Sequence, residues 1–514
     1  MPKWSNPSTE ESIESPPLPA LSTTLPVRRK RQEPSGAAPL PTPPRLRRAP
    51  ATGHVQVDRA RRGTSRQPGL ALACLSFLLG LFWLAAIKPL NTPDAPAHLE
   101  AIMQVRQDHI LPEVHFAVVD GNWRLIGPHE NPAVQAYATG LGRTDPYTLL
   151  PYESSQPPLF YVVAALAGLP FPAVPQTLLY VGCIVAAAFG AATVYFCWAA
   201  VREVVPGAPH WAIAVAGVIM LLPQFCFNSA SVGNDSAAAF AAALAYYVWF
   251  RGLRDPRYDR WMLRAGAALG LAVLAKLTAA TLVPGLALVL LFRAGPALRA
   301  AGTWAARARQ VAALGTGTVA GTLAVCGWWL VRNIILYGEP TGTRDAFLFY
   351  TGGAAFVKLN PALPASRAEF LRSLWESIWG RFGWMDMSLP AELYALAGTA
   401  TSGLLALTAL AALVGIGLGV ARRRPVATVA WQAGSVMAVV AVALIISFVQ
   451  FNQTVAFQAQ GRYLFLLLLP AGMLLTGGLQ ALPHRALKVG GLSLLLLGMG
   501  FLNLIGLALV AVVR

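Results

Sequence analysis

Pro157-Pro158-Leu159-Phe160-Tyr161-Val162-Val163-Ala164-Ala165-Leu166-Ala167-Gly168-Leu169-Pro170-Phe171 is the stretch on which the architecture turns. As a helix it would cover roughly 22 Å, short of the ~30 Å hydrocarbon core of a bilayer, so it reads either as a tight span or as a helix lying in the interface. Eleven other apolar runs surround it, near 70–87, 175–201, 211–227, 235–250, 263–275, 278–292, 311–331, 394–420, 427–449, 463–480 and 489–513. The fold class expected is therefore all-α and polytopic, with about 11 transmembrane helices, or 12 if 157–171 crosses.

The basic residues decide between the two. If 157–171 does not cross, then Arg202, the group from Arg251 to Arg264, the group from Arg293 to Arg309, Arg422-Arg423-Arg424, and Arg485 with Lys488 share a side with the N-terminal tail. If it crosses, they move to the other side and the positive-inside rule fails at almost every loop. The stretch is therefore read as interfacial. Two large outer loops follow, 88–174 and 332–393, with shorter outer turns at 228–234, around Lys276 and at 450–462. Beyond residue 69, 15 of the 18 acids then lie outside against 13 of the 28 basic residues, so a chemical site is expected on the outer face.

Composition supports this reading. The chain has 514 residues, 55% hydrophobic and 12% charged, with a net charge of +17 and a mean hydropathy of +0.53. So few charges exclude an ordinary soluble enzyme. Residues 1–69 hold 13 prolines and 12 Lys or Arg against five acids. They read as a disordered basic cytoplasmic tail ahead of a membrane domain at 70–514. The first apolar run is long enough to span and no small-residue cleavage site follows it, so it is not read as a signal peptide. A nucleic-acid partner is not expected, because the remaining basic residues are spread over turns. Cys74, Cys183, Cys197, Cys226 and Cys326 sit in apolar runs without paired spacing and form neither a disulfide framework nor a zinc motif. The location expected is the plasma membrane, multi-pass, with the N-terminus cytoplasmic.

The outer segments carry the candidate chemistry. The first loop opens Lys88-Pro89-Leu90-Asn91-Thr92-Pro93-Asp94-Ala95-Pro96-Ala97-His98-Leu99-Glu100. Asp94 and His98 are four apart and share a helix face. They read as a general base with its partner, as ligands of a divalent metal, or as a helix N-cap and its neighbour. The loop ends in Tyr152-Glu153-Ser154-Ser155-Gln156-Pro157-Pro158, a structural feature on its own. Asn234-Asp235 follows the third run, Lys276 separates the fifth and sixth, Arg332-Asn333 follows Trp328-Trp329, and Gln460-Gly461-Arg462-Tyr463 opens the tenth. Cations at this depth suit a phosphate at head-group level, or snorkel to lipid phosphates.

These residues, taken in order, resemble the GT-C glycosyltransferases, the group of the lipid A aminoarabinose transferase and the protein O-mannosyltransferases. The resemblance rests on Pro93-Asp94 with His98, Gln156-Pro157-Pro158-Leu159 with Tyr161, Asn234-Asp235, Lys276-Leu277-Thr278, Trp329-x-x-Arg332-Asn333-x-x-x-Tyr337-Gly338, and Gln460-Gly461-Arg462-Tyr463. It covers roughly residues 70–480 and lies nearest a bacterial integral membrane branch. Ala95 stands where many relatives have a second acid, for which Glu100 or Asp108 is a substitute.

The resemblance implies transfer of a sugar from a polyprenyl-phosphate carrier to a glycan, lipid or protein acceptor outside the cytoplasm, with inversion. Asp94 is then the base or the ligand of a metal that does its work, and His98 orients it. Lys276, Arg332 and Arg462 stabilise the leaving phosphate. Gln156, Asn234, Asp235, Asn333, Gln460 and Tyr463 complete the substrate site. Trp375, Trp379 and Trp384 cover the sugar or anchor the interface. No cofactor is certain, and a divalent metal at Asp94 and His98 stays open. The competing readings are a cell-envelope polysaccharide polymerase or ligase, whose largest loop would come late in the chain, and a transporter, which would show internal repeats and charged groups in mid-membrane.

Overall fold

The computed structural model describes residues 66–119, 122–128, 130–145, 149–253, 258–344, 357–421 and 428–512. The tail up to residue 65, Arg254, Arg257 and Arg422-Arg423-Arg424, on which part of the orientation argument rests, lie outside the described residues. What is described is helical apart from two short hairpins.

After α1 (Gln67–Ala86) the chain enters a folded first loop. It contains α2 (Ala95–Met103), a π-helical turn (Gln104–Asp108), the antiparallel hairpin of β1 (His115–Val119) and β2 (Asn122–Gly127), α3 (Pro132–Gly140), a 3-10 turn (Tyr152–Ser155) and α4 (Leu159–Ala167). There follow α5 (Pro175–Val204), α6 (Pro209–Leu221), α7 (Pro223–Ser229), α8 (Asp235–Gly252) and α9 (Tyr258–Ala275). A 3-10 turn (Leu277–Leu282) leads into α10 (Val283–Ala300), and α11 (Trp304–Tyr337) is the longest helix of the described chain. The second loop holds α12 (Pro364–Trp379) and the hairpin of β3 (Arg381–Phe382) and β4 (Met387–Ser388). The chain closes with α13 (Ala391–Ala421), α14 (Thr428–Thr454), a 3-10 turn (Gly461–Leu467), α15 (Leu468–Ala481) and α16 (Arg485–Val512).

Each of the eleven apolar runs is helical over almost all of its described residues. Eight helices among the described residues are long and apolar enough to cross a membrane, and α6 with α7 makes a ninth if that bent pair is one span. Of the other two runs, α8 opens on Asp235 and α9 has only its shorter apolar stretch Trp261–Ala275. The deciding stretch forms α4, whose nine residues reach about 13 Å and do not span.

Proline sets many of the helix starts. It occupies the first helical turn of α1, α2, α3, α5, α6, α7 and α12, where its missing N–H costs nothing. Pro223 also breaks α6 from α7 by 66°. In an apolar layer the carbonyl freed by such a break needs a donor. Asn503 of α16 supplies it, giving Nδ2 to Leu221 O at 3.1 Å while its Oδ1 accepts from Trp83 Nε1 at 3.2 Å. One buried amide thus ties α1, the bend and α16 together.

Close packing depends on small residues. α8 reads Ala-Ala-Ala-Phe-Ala-Ala-Ala across its middle and lies against α5 with most of its residues buried. α9 and α11 approach nearer still. A Cβ at Gly266 would stand 2.0 Å from Thr318 O, and one at Gly321 would stand 2.3 Å from Leu263 O. That intimacy gives van der Waals contact where lipid offers no hydrophobic drive.

The first loop belongs to the core. All nine residues of α2 are buried, and Leu99, Ile102 and Met103 join the main apolar cluster with Phe160 and Tyr161 of α4.

Candidate active site

Four segment ends converge at one end of the bundle: the turn after α1, the start of α8, the step from α9 into its following 3-10 turn, and the turn that opens at Gly461. They carry Asp94, Asp235, Lys276 and Arg462. Lys276 Nζ donates to Asp235 Oδ1 at 2.5 Å. Arg462 Nη2 donates to Asp94 Oδ2, and its Nη1 lies 3.5 Å from Asp235 Oδ2. The result is an alternating chain, Asp94, Arg462, Asp235, Lys276, whose side chains are at most about a fifth exposed. Isolated ions here would be very costly, and two acids against two cations cancel formally.

Aromatic and polar side chains close the cluster. Tyr463 places its ring under both cations, 5.0 Å from Lys276 Nζ and 5.2 Å from the Arg462 guanidinium. Gln460 Oε1 accepts from Arg462 Nε at 2.7 Å. Gly461 allows this turn to press on α12, since a Cβ there would stand 2.6 Å from Ser377 O.

Asp94 is the N-cap of α2 but caps it without a side-chain bond, with φ of 63° in the left-handed region. That conformation turns its carboxylate away from the helix and into the cluster. Tyr152 donates to Oδ1 at 2.8 Å, so both Asp94 oxygens are engaged. Burial pushes this carboxyl up, but Arg462 and the two hydrogen bonds outweigh it and hold it at about 2. His98 follows one turn later and shares a hydrogen bond of 2.9 Å with the Tyr161 hydroxyl through Nδ1. Burial, helped by the positive charges of Lys276 and Arg462, holds its imidazole down at about 4. It is neutral at pH 7. Gly233 keeps space for the ring, because a Cβ there would lie 3.3 Å from His98 Nε2.

Glu153 was not singled out by sequence reasoning. Its Oε2 lies 3.8 Å from His98 Nδ1, and burial with the nearby Asp94 charge pushes it up to about 8. Tyr152 and Tyr161 were likewise read as structural or as family pattern, and both reach the cluster.

One ligand atom each of Asp94, His98 and Glu153 lies within 4.8 Å of the others, as a metal site would require. Two of the three residues are otherwise engaged. Both oxygens of Asp94 are taken, His98 Nδ1 is held by Tyr161, and Arg462 stands against Asp94. A cation there would have to share Asp94 with the Arg462 guanidinium, which disfavours a divalent metal in the arrangement as it stands, and no chemistry is derived through one.

The other expected residues fall into three places. Asn234 is fully buried at the cluster's edge, and among the described residues its side-chain amide has no hydrogen-bond partner. Gln156 is half-buried beside the 3-10 turn and, among the described residues, gives only its backbone N–H, to Glu153 O at 3.0 Å. Trp384 bridges the two loops, donating Nε1 to Leu90 O at 3.1 Å with the Arg143 guanidinium 5.2 Å over its ring.

Arg332 and Asn333 are not brought into the cluster by any described contact. Arg332 Nη2 bonds Leu111 O at 3.1 Å, Pro112 O at 3.2 Å and Glu113 Oε2 at 3.0 Å, so it clasps the first loop to α11. Asn333 Nδ2 holds Pro340 O at 3.1 Å in the turn beyond the α11 C-cap, Gly338. Trp375 and Trp379 pack on each other in a second apolar cluster. Glu100 accepts Asn131 N–H at 2.6 Å at the start of α3, and burial pushes its carboxyl up to about 8.

Residues 155–314 match the dolichyl-phosphate-mannose-protein mannosyltransferase family. The likeness to that family extends over about a third of the chain. This mannosyltransferase-like segment contains Tyr161, Asn234, Asp235 and Lys276, and lies between Asp94 and Arg462 in sequence. No curated protein sequence matches the chain. Among solved structures, ArnT from Cupriavidus metallidurans bound to undecaprenyl phosphate is 15% identical with a TM-score of 0.45, over 86% of this chain and 63% of that one. The Archaeoglobus fulgidus oligosaccharyltransferase in its apo form is 13% identical with a TM-score of 0.45, over 86% of this chain and 56% of that one. The chain therefore spans less than two thirds of the length of these proteins.

Proposed function

We propose that this protein is a membrane glycosyltransferase that moves one sugar from a polyprenyl-phosphate carrier to an acceptor hydroxyl on the extracytoplasmic face. The observation that carries the reading is the pair of buried cations, Lys276 and Arg462, held by acids from different segments at one end of the helix bundle. A charge network so costly to bury is the kind of arrangement found at functional sites. A phosphate at head-group depth exchanges charge-assisted bonds with such cations, while its prenyl chain stays among apolar helices. The family of residues 155–314, named for a dolichyl-phosphate sugar donor, supports the same donor class.

Substitution at the anomeric carbon needs stabilisation of the leaving phosphate and a base for the acceptor. Lys276 and Arg462 meet the first need. Asp94 keeps Arg462 in place, His98 and Tyr161 orient the acidic side of the cluster, and Gln460, Asn234 and Tyr463 line it. The basic residues along α5, α9 and α10 support an orientation with the N-terminus cytoplasmic.

Release of polyprenyl phosphate from a panel of polyprenyl-phosphate sugars by the purified protein tests the reading. Absence of both turnover and polyprenyl-phosphate binding by wild type would overturn it. Labelling of Ala173→Cys from the outside only is the orientation expected, and labelling from the cytoplasm would reverse it.

A further inference from the structure

Three carboxylates share the cluster, and they are not equivalent. Asp94 gives one oxygen to Tyr152 and the other to Arg462. Asp235 gives one oxygen to Lys276 and turns the other toward Arg462. Among the described residues the Glu153 carboxyl has no hydrogen-bond donor and no Lys or Arg within ion-pair distance; His98 Nδ1 lies 3.8 Å away but already engages the Tyr161 hydroxyl, and the Asp94 carboxylate stands within 4.8 Å. Glu153 is nonetheless held in place. Its 3-10 turn is buried, Ser155 Oγ caps Tyr152 O at 3.0 Å, and Tyr161 approaches Glu153 O at 3.4 Å. The Glu153 side chain keeps 11% of its surface exposed, whereas Glu100 is sealed at 1%.

A carboxylate already neutralised by a guanidinium and a phenol has little basicity left, whereas one with neither partner keeps it. We propose that Glu153 takes the proton of the acceptor hydroxyl, while Asp94 acts as a fixed anion that positions Arg462. This rests on the transferase reading. In the step, the acceptor O–H bond breaks and its proton passes to a Glu153 carboxylate oxygen. The acceptor oxygen bonds the anomeric carbon, and the bond from that carbon to the phosphate oxygen breaks. Its electron pair leaves on polyprenyl phosphate beside Lys276 and Arg462. The divergent acidities of the pair, Asp94 held at about 2 and Glu153 raised to about 8, agree with this division. The charged and titratable groups facing Glu153 are Asp94 and His98 from α2 and its cap, Tyr161 from α4, Asp235 from α8, Lys276 after α9, and Arg462 with Tyr463 from the turn before α15.

The test measures polyprenyl-phosphate release and, separately, polyprenyl-phosphate binding by the full-length protein. Glu153→Gln is expected to lose about 10²- to 10⁴-fold in kcat/KM while binding polyprenyl phosphate within about threefold of wild type. Wild-type kcat/KM should rise with pH until Glu153 is ionised near pH 8, and the residual rate of the Gln variant should lack that rise. Glu153→Ala should regain at least about tenfold with added formate, a response that a purely structural role would not give. Wild-type turnover with Glu153→Gln undiminished and the same pH profile overturns this assignment alone. Wild type that neither binds nor releases polyprenyl phosphate overturns the transferase reading and this assignment with it.

Discussion

Arg462 closes a salt bridge with Asp94 across 368 residues of chain. The bridge joins the turn after the first helix to the turn before α15, so the loop that enters the site and the late segment that lines it are set by one contact. Asp94→Ala leaves Arg462 buried with Asp235, at 3.5 Å, as the one acid within ion-pair distance among the described residues. Breaking a buried pair by removing one partner costs about 3–5 kcal/mol. The Ala variant should therefore melt well below wild type in detergent and lose turnover. Asp94→Asn keeps an acceptor for Tyr152 and should fold better while still losing rate. Equal melting of wild type and Asp94→Ala would show that the bridge contributes nothing.

Lys276 is the cation most free to turn toward a phosphate, since a single carboxylate and the face of Tyr463 hold it. Lys276→Met should weaken polyprenyl-phosphate binding about 10- to 100-fold, the worth of one hydrogen bond between charged groups. Lys276→Arg should recover much of that. Titration of fluorescent polyprenyl phosphate into the three proteins is the measurement, and indistinguishable affinities would remove Lys276 from the phosphate site.

Arg332 separates a phosphate ligand from a loop clasp. Its guanidinium is committed to residues 111–113, and Gln104 holds the same segment by bonding both N and O of Glu113 at 3.1 Å. Arg332→Ala should raise hydrogen exchange at residues 111–116 and leave polyprenyl-phosphate affinity within about twofold. A large loss of affinity with unchanged exchange would restore the sequence expectation.

Periodicity and the placing of arginines brought out much of this molecule. The eleven helical runs, the failure of 157–171 to span, and the position of Asp94, Asp235, Lys276 and Arg462 at the ends of apolar runs were legible, because charged residues there have few places to go. Glu153 was not, because an acid in a loop gives no signal of burial. Its depth comes from α4, aimed by Pro157-Pro158 and carrying Tyr161 onto His98. Arg332 was hard to place for a related reason. A cation at a helix end looks the same whether a phosphate or a loop carbonyl will meet it, and only the tertiary fold brought Glu113 to α11.

Glu100 gives stability a pH dependence with a definite sign. Its carboxyl sits at about 8 in the folded protein against an ordinary 4.5. Between those values the folded chain binds more protons than the unfolded one, so stability is full at the acid end and falls as pH rises through the window. Glu100→Gln keeps the acceptor for Asn131 N–H and cannot ionise. Its melting temperature should exceed that of wild type by several degrees at pH 8.5, with the gap shrinking toward pH 5. A gap independent of pH would mean that Glu100 ionises freely. His98 acts oppositely: held at about 4 against 6.5, it withdraws stability as pH falls below 6.5.

The left-handed backbone at Asp94 narrows what evolution or an engineer could place there. At φ of 63° the residues tolerated without strain are Gly, Asn and Asp. Of these, Asp alone supplies charge. Glutamate, the usual conservative exchange, would carry both an unfavourable backbone and one methylene too many for the Arg462 contact. A proline or β-branched residue would force the start of α2 to unwind and take His98 with it. The chemistry of this position is thereby locked to a single amino acid by the shape of the main chain, before any substrate enters the account.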